Sequence, residues 1–375
     1  MALPASIETR RLRLRPFGED DGAWVERALG QAEVARMLTS LPHPLPPGSA
    51  AAWLARVAAD HVKGGRMFAV EAEGGPVGCA ALSADGSDDL ELGYWIVPDA
   101  WGRGFASEAG AALREAAFSS LAVRGLKARH AADNPASGRV LDKLGFLRVG
   151  ETSRWYEARR AEAPTILYRL ERHAWLARAA ARTPRIETPR LVLRALRLAD
   201  APAIYRLAGD WEVARWTALI PHPYPEGEAE RFIARSAAGN LSGTGLALAI
   251  AERDRPNALI GGCGWSLDRG GGLEIGYWLG RPYWGRGYMT EVVRALADHA
   301  FRTTDVPSVR AGIFPDNLRS ARVLEKAGFV ESGTDHCATP ARECCGVTAR
   351  LFVLERGPWA ARGGAPAHAP AEVGP

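Results

Sequence analysis

With 375 residues, 47% hydrophobic and 24% charged, the chain has the composition of a soluble globular protein and, at roughly 150 residues per domain, the length of two domains. No run approaches the ~20 consecutive apolar residues that span a bilayer, and "MALPASIETRRLRLRPF" lacks the apolar core of a signal peptide, so a cytoplasmic protein with no membrane partner is expected. A net charge of +4 without a dense Lys/Arg run argues against nucleic acid, and five cysteines without zinc spacing argue against a disulfide framework or a metal site.

Taken in order, "ETRRLRLRPF" (Glu8 to Phe17) alternates at period two and opens the chain as a strand. A proline-rich "LPHPLP" loop from Leu41 follows, then the strand patterns "MFAVEAE" and "PVGCAALS". "LELGYWIV" is a further strand bounded by Pro98, and "WGRGF" leads into a helix in which Leu113, Ala117 and Phe118 recur at helical spacing. The strand "GLKARHAA" and the short helix "ASGRVLDKLGF", placed to end at Gly145, complete this stretch. Glu171 to Arg182 reads as helical, stopped by Thr183-Pro184.

The same order then returns. "ETPRLVLRAL" starts at Glu187, "IPHPYP" at Ile220, "EIGYWLGRPYWGRGYMTE" at Glu274 and "DNLRSARVLEKAGF" at Asp316, matching "ELGYWIVPDAWGRGFASE" from Glu91 and "DNPASGRVLDKLGF" from Asp133. The chain is a duplicated mixed α/β domain with a central sheet. We expect one domain over 1–173, a linker over 174–184, a second domain over 185–356 and, because 357–375 is Gly/Pro/Ala-rich without periodicity, a disordered tail.

A strand that passes through Trp-Gly-Arg-Gly into a helix presents backbone N–H groups with no side chains in front of them. Helix N-termini favour anions, so Gly102, Gly104, Gly285 and Gly287 suit a phosphate or pyrophosphate; a tight turn that merely packs is the alternative. The turn lacks the Lys-Ser/Thr of a Walker loop and the third glycine and distal acid of a dinucleotide fingerprint.

"WGRGFASE" and "WGRGYMTE", each followed by "DNxxSxRVLxKxGF", resemble the acetyl-CoA site of the GNAT-superfamily acetyltransferases, and most closely the branch that acetylates ribosomal-protein N-termini. The resemblance covers nearly all of each half. It implies two domains, each with a twisted, mostly antiparallel sheet, a splayed parallel strand pair and flanking helices. It also implies acetyl-CoA as acyl donor. The donor's pyrophosphate would lie on the amides of Gly102, Arg103, Gly104, Phe105 and Ala106, or of Gly285, Arg286, Gly287, Tyr288 and Met289, with Trp101, Ser107, Trp284 and Thr290 as flanking cofactor-binding residues. Its pantetheine would pair with Ile96 and Val97, or Leu279 and Gly280, and bond Asn134 or Asn317. Trp101 and Trp284 stand where the superfamily usually has Gln or Arg, and Met289 replaces a small residue and crowds the site.

Many members of the superfamily place an acidic tyrosine seven residues after the motif asparagine; Leu141 and Leu324 stand there instead. The branch offers a serine three residues after the asparagine, which assigns the proton for the leaving thiolate to Ser137 and Ser320, with a helix N-cap as the alternative for both. Glu91 and Glu274 open the cleft strand and are candidate bases, or solvated strand-end carboxylates. His43 and His222, in the proline-rich loops, are candidates for the acceptor site or for rigid turns. Glu108 and Glu291 read as structural. Cys79 and Cys263 read as buried packing. Cys344 and Cys345, facing opposite ways on a strand, do not suggest a shared metal.

The expected partner is an amine. Deprotonating a lysine of pKa ~10.4 at pH 7 costs about 4.6 kcal/mol and an α-amine of pKa ~7.8 about 1.1, so a site without a strong base suits the latter. A covalent pseudo-dimer acting by direct transfer is expected. An acyl-CoA-binding sensor without turnover, or one working and one degenerate copy, are the competing readings, and further dimerisation is open.

Overall fold

The computed structural model describes residues 3–62, 66–84, 89–121, 123–267, 272–339 and 344–363, of which 58–62, 336–339 and 344–347 by backbone alone. It divides into two compact units, Met1–Trp175 and Leu176–Pro375.

In the first unit, β1 (Ile7–Glu8) and β2 (Leu12–Arg15) precede α1 (Gly22–Leu29), α2 (Ala32–Ala35) and α3 (Ser49–Val62). Then come β3 (Arg66–Ala72), β4 (Gly75–Ala84), β5 (Leu90–Ile96), α4 (Phe105–Ser120), β6 (Gly125–Ala131), α5 (Pro135–Leu144), β7 (Leu147–Tyr156) and β8 (Ala161–Glu171). The sheet runs β1-β2-β3-β4-β5-β6-β8-β7. Every pairing is antiparallel except β5 with β6, which are parallel and paired only at Leu90↔Leu126 and Glu91↔Lys127. Beyond Glu91 the two strands part, and the rest of β5 keeps an open edge.

After α6 (Arg172–Arg182), the second unit repeats the plan: β9 (Ile186–Glu187), β10 (Leu191–Ala195), α7 (Ala201–Ala208), α8 (Trp211–Ala214), α9 (Glu228–Ser242), β11 (Gly245–Glu252), β12 (Leu259–Leu267) and β13 (Leu273–Leu279). α10 (Tyr288–Thr303), β14 (Ser308–Ile313), α11 (Leu318–Ala327), β15 (Val330–Thr339), β16 (Cys344–Glu355) and α12 (Arg356–Ala361) follow. The strand order is the same, and the parallel pair again closes only at Leu273↔Val309 and Glu274↔Arg310. Side chains alternate across a strand. Leu248 and Ile250 accordingly join Val292, Leu296, Phe301 and Leu324 of α10 and α11 on one face, while Ala249 meets Ile204, Ala208 and Ile233 of α7 and α9 on the other.

The segment between the copies is helical, as expected for Glu171 to Arg182: it forms α6, and Trp175 anchors it, 1% exposed with its ring 5.0 Å from that of Phe118. The tail expected to be disordered begins with α12, because Trp359 is buried against Phe301 at 4.9 Å and its indole N–H donates to Asp298. Trp175 and Trp359 are the same feature in the two copies: an aromatic plug that fastens a terminal helix to the long helix of the domain. Residues 364–375 lie outside the described residues, as do the side chains of Cys344 and Cys345.

Candidate active site

The open edge of β5 is defined by its hydrogen bonding. In an antiparallel ladder, successive residues turn their backbone groups to opposite edges. Val97 N–H donates to Val77 C=O and Gly280 N–H to Ile260 C=O, so these amides belong to the sheet. The pantetheine pairing expected at Val97 and Gly280 is therefore corrected for their amides, which face β4 and β12. Ile96 and Leu279, one residue earlier, turn towards the splay. Their carbonyls accept the indole N–H of Trp101 and Trp284, each at 2.6 Å. That bond gives the tryptophans a role at a position where the superfamily usually has Gln or Arg: they brace the strand end against the glycine turn.

The turn itself fits an anion. Gly102 (φ +74°) and Gly285 (φ +77°) are left-handed, and a Cβ built on either meets nothing within 4 Å. Gly104 (φ +80°) and Gly287 (φ +76°) are the left-handed N-caps of α4 and α10, neither of which has a side-chain cap. The first-turn amides, through Ala106 and Ser107 or Met289 and Thr290, are thus without a side-chain capping acceptor at a helix N-terminus, where a phosphate binds. Met289, expected to crowd the site, is half-buried and packs against the core of its unit. Arg103 and Arg286 are exposed beside the turn, with Arg103 over the Phe105 ring and Arg286 over that of Tyr283.

Glu108 and Glu291 hold each turn to the start of its domain. Glu108 accepts from Thr9 Oγ1 (2.7 Å), Arg11 N–H (2.9 Å) and Arg11 Nε (2.7 Å), while Arg11 Nη1 donates to Arg103 C=O. Glu291 does the same with Thr188 and Arg190, and Arg190 Nη1 donates to Arg286 C=O. Burial pushes both carboxyls up, but the hydrogen bonds and the arginine charge outweigh it and hold them below their ordinary value. The repeated "ETxRL" is thus half of a latch whose other half is the glutamate of "WGRGxxxE", a pairing visible in sequence only once the two are known to meet.

Across the splay stand the serines. Asn134 and Asn317 cap α5 and α11, their Oδ1 accepting from Ser137 N–H (3.2 Å) and Ser320 N–H (3.1 Å), so the serines are not the N-caps and keep their hydroxyls. Each hydroxyl meets a tyrosine that the sequence reading passed over: Tyr94 Oη lies 3.0 Å from Ser137 Oγ, and Tyr277 Oη 2.7 Å from Ser320 Oγ. The repeated "GYW" was the available signal, with the tyrosine two residues before Ile96 or Leu279. Leu141 and Leu324 are buried, so the helix position where relatives carry tyrosine points into the core.

The remaining candidates are placed differently. Glu91 is bound to Arg129 of β6 at 2.9 Å where the strands still pair, and Glu274 sits at the same register of β13, a Cβ on Gly312 lying 3.5 Å from its Oε1. Neither stands forward as a free base. His43 and His222 both precede cis-prolines. His222 Nδ1 bonds Gly209 C=O, and the ring lies 5.2 Å from Trp211; His43 Nδ1 is buried with no hydrogen-bond partner among the described residues. Among the described contacts, none joins either histidine to the serines. Cys79 and Cys263 are buried, and burial pushes each thiol up to about 12.

Residues 11–147 and 190–330 each match the model of the acetyltransferase (GNAT) domain. The chain is similar to the uncharacterized N-acetyltransferase p20 of Bacillus licheniformis, 30% identical over 39% of this chain and 82% of that protein. It is also similar to the uncharacterized N-acetyltransferase YoaA of Bacillus subtilis, 32% identical over 40% of this chain and 85% of that protein. Among solved structures, the ribosomal-protein-S5-alanine acetyltransferase of Vibrio fischeri aligns with 46% of this chain and 99% of its own at 19% identity, with a TM-score of 0.40. No described helix is long and apolar enough to cross a membrane. With the domain matched twice over most of its length, the chain belongs to the GNAT acetyltransferase family and is an acetyl-CoA-dependent acyltransferase.

Proposed function

We propose that both halves transfer the acetyl group of acetyl-CoA directly to a primary amine, each at its own splayed strand pair. The observation that carries this reading is that the second copy keeps every feature of the first: the open strand edge, the left-handed glycines, the bracing tryptophan, the glutamate latch and a serine hydroxyl across the cleft. A copy kept only as a scaffold has no need of the last of these. A sensor without turnover has none either. The pyrophosphate would rest on the amides from Gly102 to Ser107 and from Gly285 to Thr290, and the pantetheine along Ile96 and Leu279. Neither cysteine whose side chain is described supports an acyl-enzyme, since Cys79 and Cys263 are buried thiols.

The acceptor we infer is an amine already largely neutral near pH 7, such as a protein N-terminal α-amine or a small-molecule amine of low pKa. With Glu91 committed to Arg129, the site offers little to offset the ~4.6 kcal/mol that a lysine would cost to deprotonate, against ~1.1 for an α-amine. The cytoplasm, where acetyl-CoA and such amines meet, is the expected setting. A thiol-release assay across an amine panel, with mass spectrometry of the product, tests this: release that depends on α-amines supports it, and release only with lysine-like amines, or none, refutes it.

A further inference from the structure

The tyrosine of the repeated "GYW" reaches from one arm of the splay to the serine of the other in both copies. Tyr94 lies on β5, one arm of the splay, and Ser137 in the first turn of the helix that follows β6, the other arm. Their hydroxyls meet at 3.0 Å, and Tyr94 O–H is also within 3.1 Å of Ser137 C=O. Tyr277 and Ser320 repeat the meeting at 2.7 Å across the second cleft. A tyrosine that only filled space would not bring its hydroxyl to the same serine in two copies whose surrounding side chains have diverged: Ile313, Phe352 and Ala321 replace His130, Tyr168 and Gly138 beside this helix.

We propose that Tyr94 and Tyr277 are positioning residues for acetyl transfer, donating to the serine Oγ so that the serine's own proton is directed at the leaving sulfur. The inference rests on the acetyl-transfer reading above. Burial raises both phenols, that of Tyr277 to about 12, so each stays a neutral donor at physiological pH. The step balances without another acid. The amine nitrogen attacks the thioester carbonyl carbon, and the C–S bond breaks with its electron pair leaving on sulfur. The serine proton passes to sulfur to give the free thiol, and the proton lost by the amine returns to the serine oxygen. Tyrosine holds that oxygen while charge passes through it, and its own proton is not consumed. This device takes the place of the helix tyrosine that Leu141 and Leu324 exclude.

The test is amine-dependent thiol release by the full chain carrying Tyr94→Phe with Tyr277→Phe. General acid–base contributions run to about 100-fold or more, so a positioning share predicts kcat lower by about 10- to 100-fold, with the acetyl-CoA KM and the melting temperature nearly unchanged. Because the tyrosine acts through the serine, adding both changes to Ser137→Ala with Ser320→Ala should lower kcat by no more than about twofold further. Ser137→Thr with Ser320→Thr, which keeps a hydroxyl in the same place, should retain more turnover than the alanine pair. Undiminished kcat in the tyrosine variant, losses that multiply with those of serine, or a loss seen only as weaker acetyl-CoA binding or a lower melting temperature would each overturn the proposal. Failure of the unaltered chain to release thiol with any amine would instead overturn the acetyl-transfer reading.

Discussion

Replacing Glu108 by alanine should loosen the whole first cleft, because one carboxylate holds both the domain's opening strand and its glycine turn. It accepts from Thr9 Oγ1, Arg11 N–H and Arg11 Nε, and Arg11 in turn holds the Arg103 carbonyl. Hydrogen bonds to a charged group contribute about 1.5–3 kcal/mol each. The Arg11 side chain is 44% exposed, so its ion pair is discounted for solvent screening to below about 1 kcal/mol. Counting the Thr9 and backbone bonds at the low end, the substitution should cost about 3–4 kcal/mol, or about 6–16 °C of melting temperature for a domain of this size. The pH dependence has a fixed sign. The folded carboxyl sits below its ordinary value, so its contribution is present above that value and is lost as pH falls through the lower folded one. Calorimetry from pH 7 downward should therefore show the gap between wild type and variant at full size at pH 7 and closing in acid below about 4.5. A variant that melts with wild type at pH 7, or a deficit that does not shrink in acid, would refute the latch.

Three further outcomes follow from the same geometry. Gly102→Ala and Gly285→Ala place a Cβ in open space but force a left-handed residue, costing about 1–2 kcal/mol of backbone strain, so acetyl-CoA affinity should fall roughly tenfold as measured by KM. Trp359→Ala removes a plug 4% exposed and should cost about 3–5 kcal/mol, seen as a lowered calorimetric transition, although the segment around it looks structureless in composition. With thiols raised to about 12 by burial, Cys79 and Cys263 should resist alkylation in the native protein, as peptide mapping by mass spectrometry would show, and should label only on unfolding.

What was legible in the sequence was what duplication and backbone chemistry write locally. The repeat fixes two domains, and the glycines of "WGRG" announce left-handed turns because few other residues occupy them. The splayed strands came from family resemblance, since nothing in the alternation of "LELGYWIV" says where a parallel partner lets go. Long-range pairings were not legible. Glu108 meets Thr9 and Arg11 nearly 100 positions away, and Tyr94 meets Ser137 across a cleft. The asparagine and serine of "DNxxS" were both visible, but which caps the helix depends on backbone angles that Asn134 and Asn317 adopt. The start of the C-terminal tail was misread because glycine and proline content outweighed a single aromatic anchor, Trp359, whose partner Phe301 is remote.

The central claim, two working acetyl-CoA sites on one chain, is tested most directly by calorimetric titration of the intact protein with acetyl-CoA. The account predicts two molecules bound per chain; a stoichiometry of one, or no binding, would contradict it.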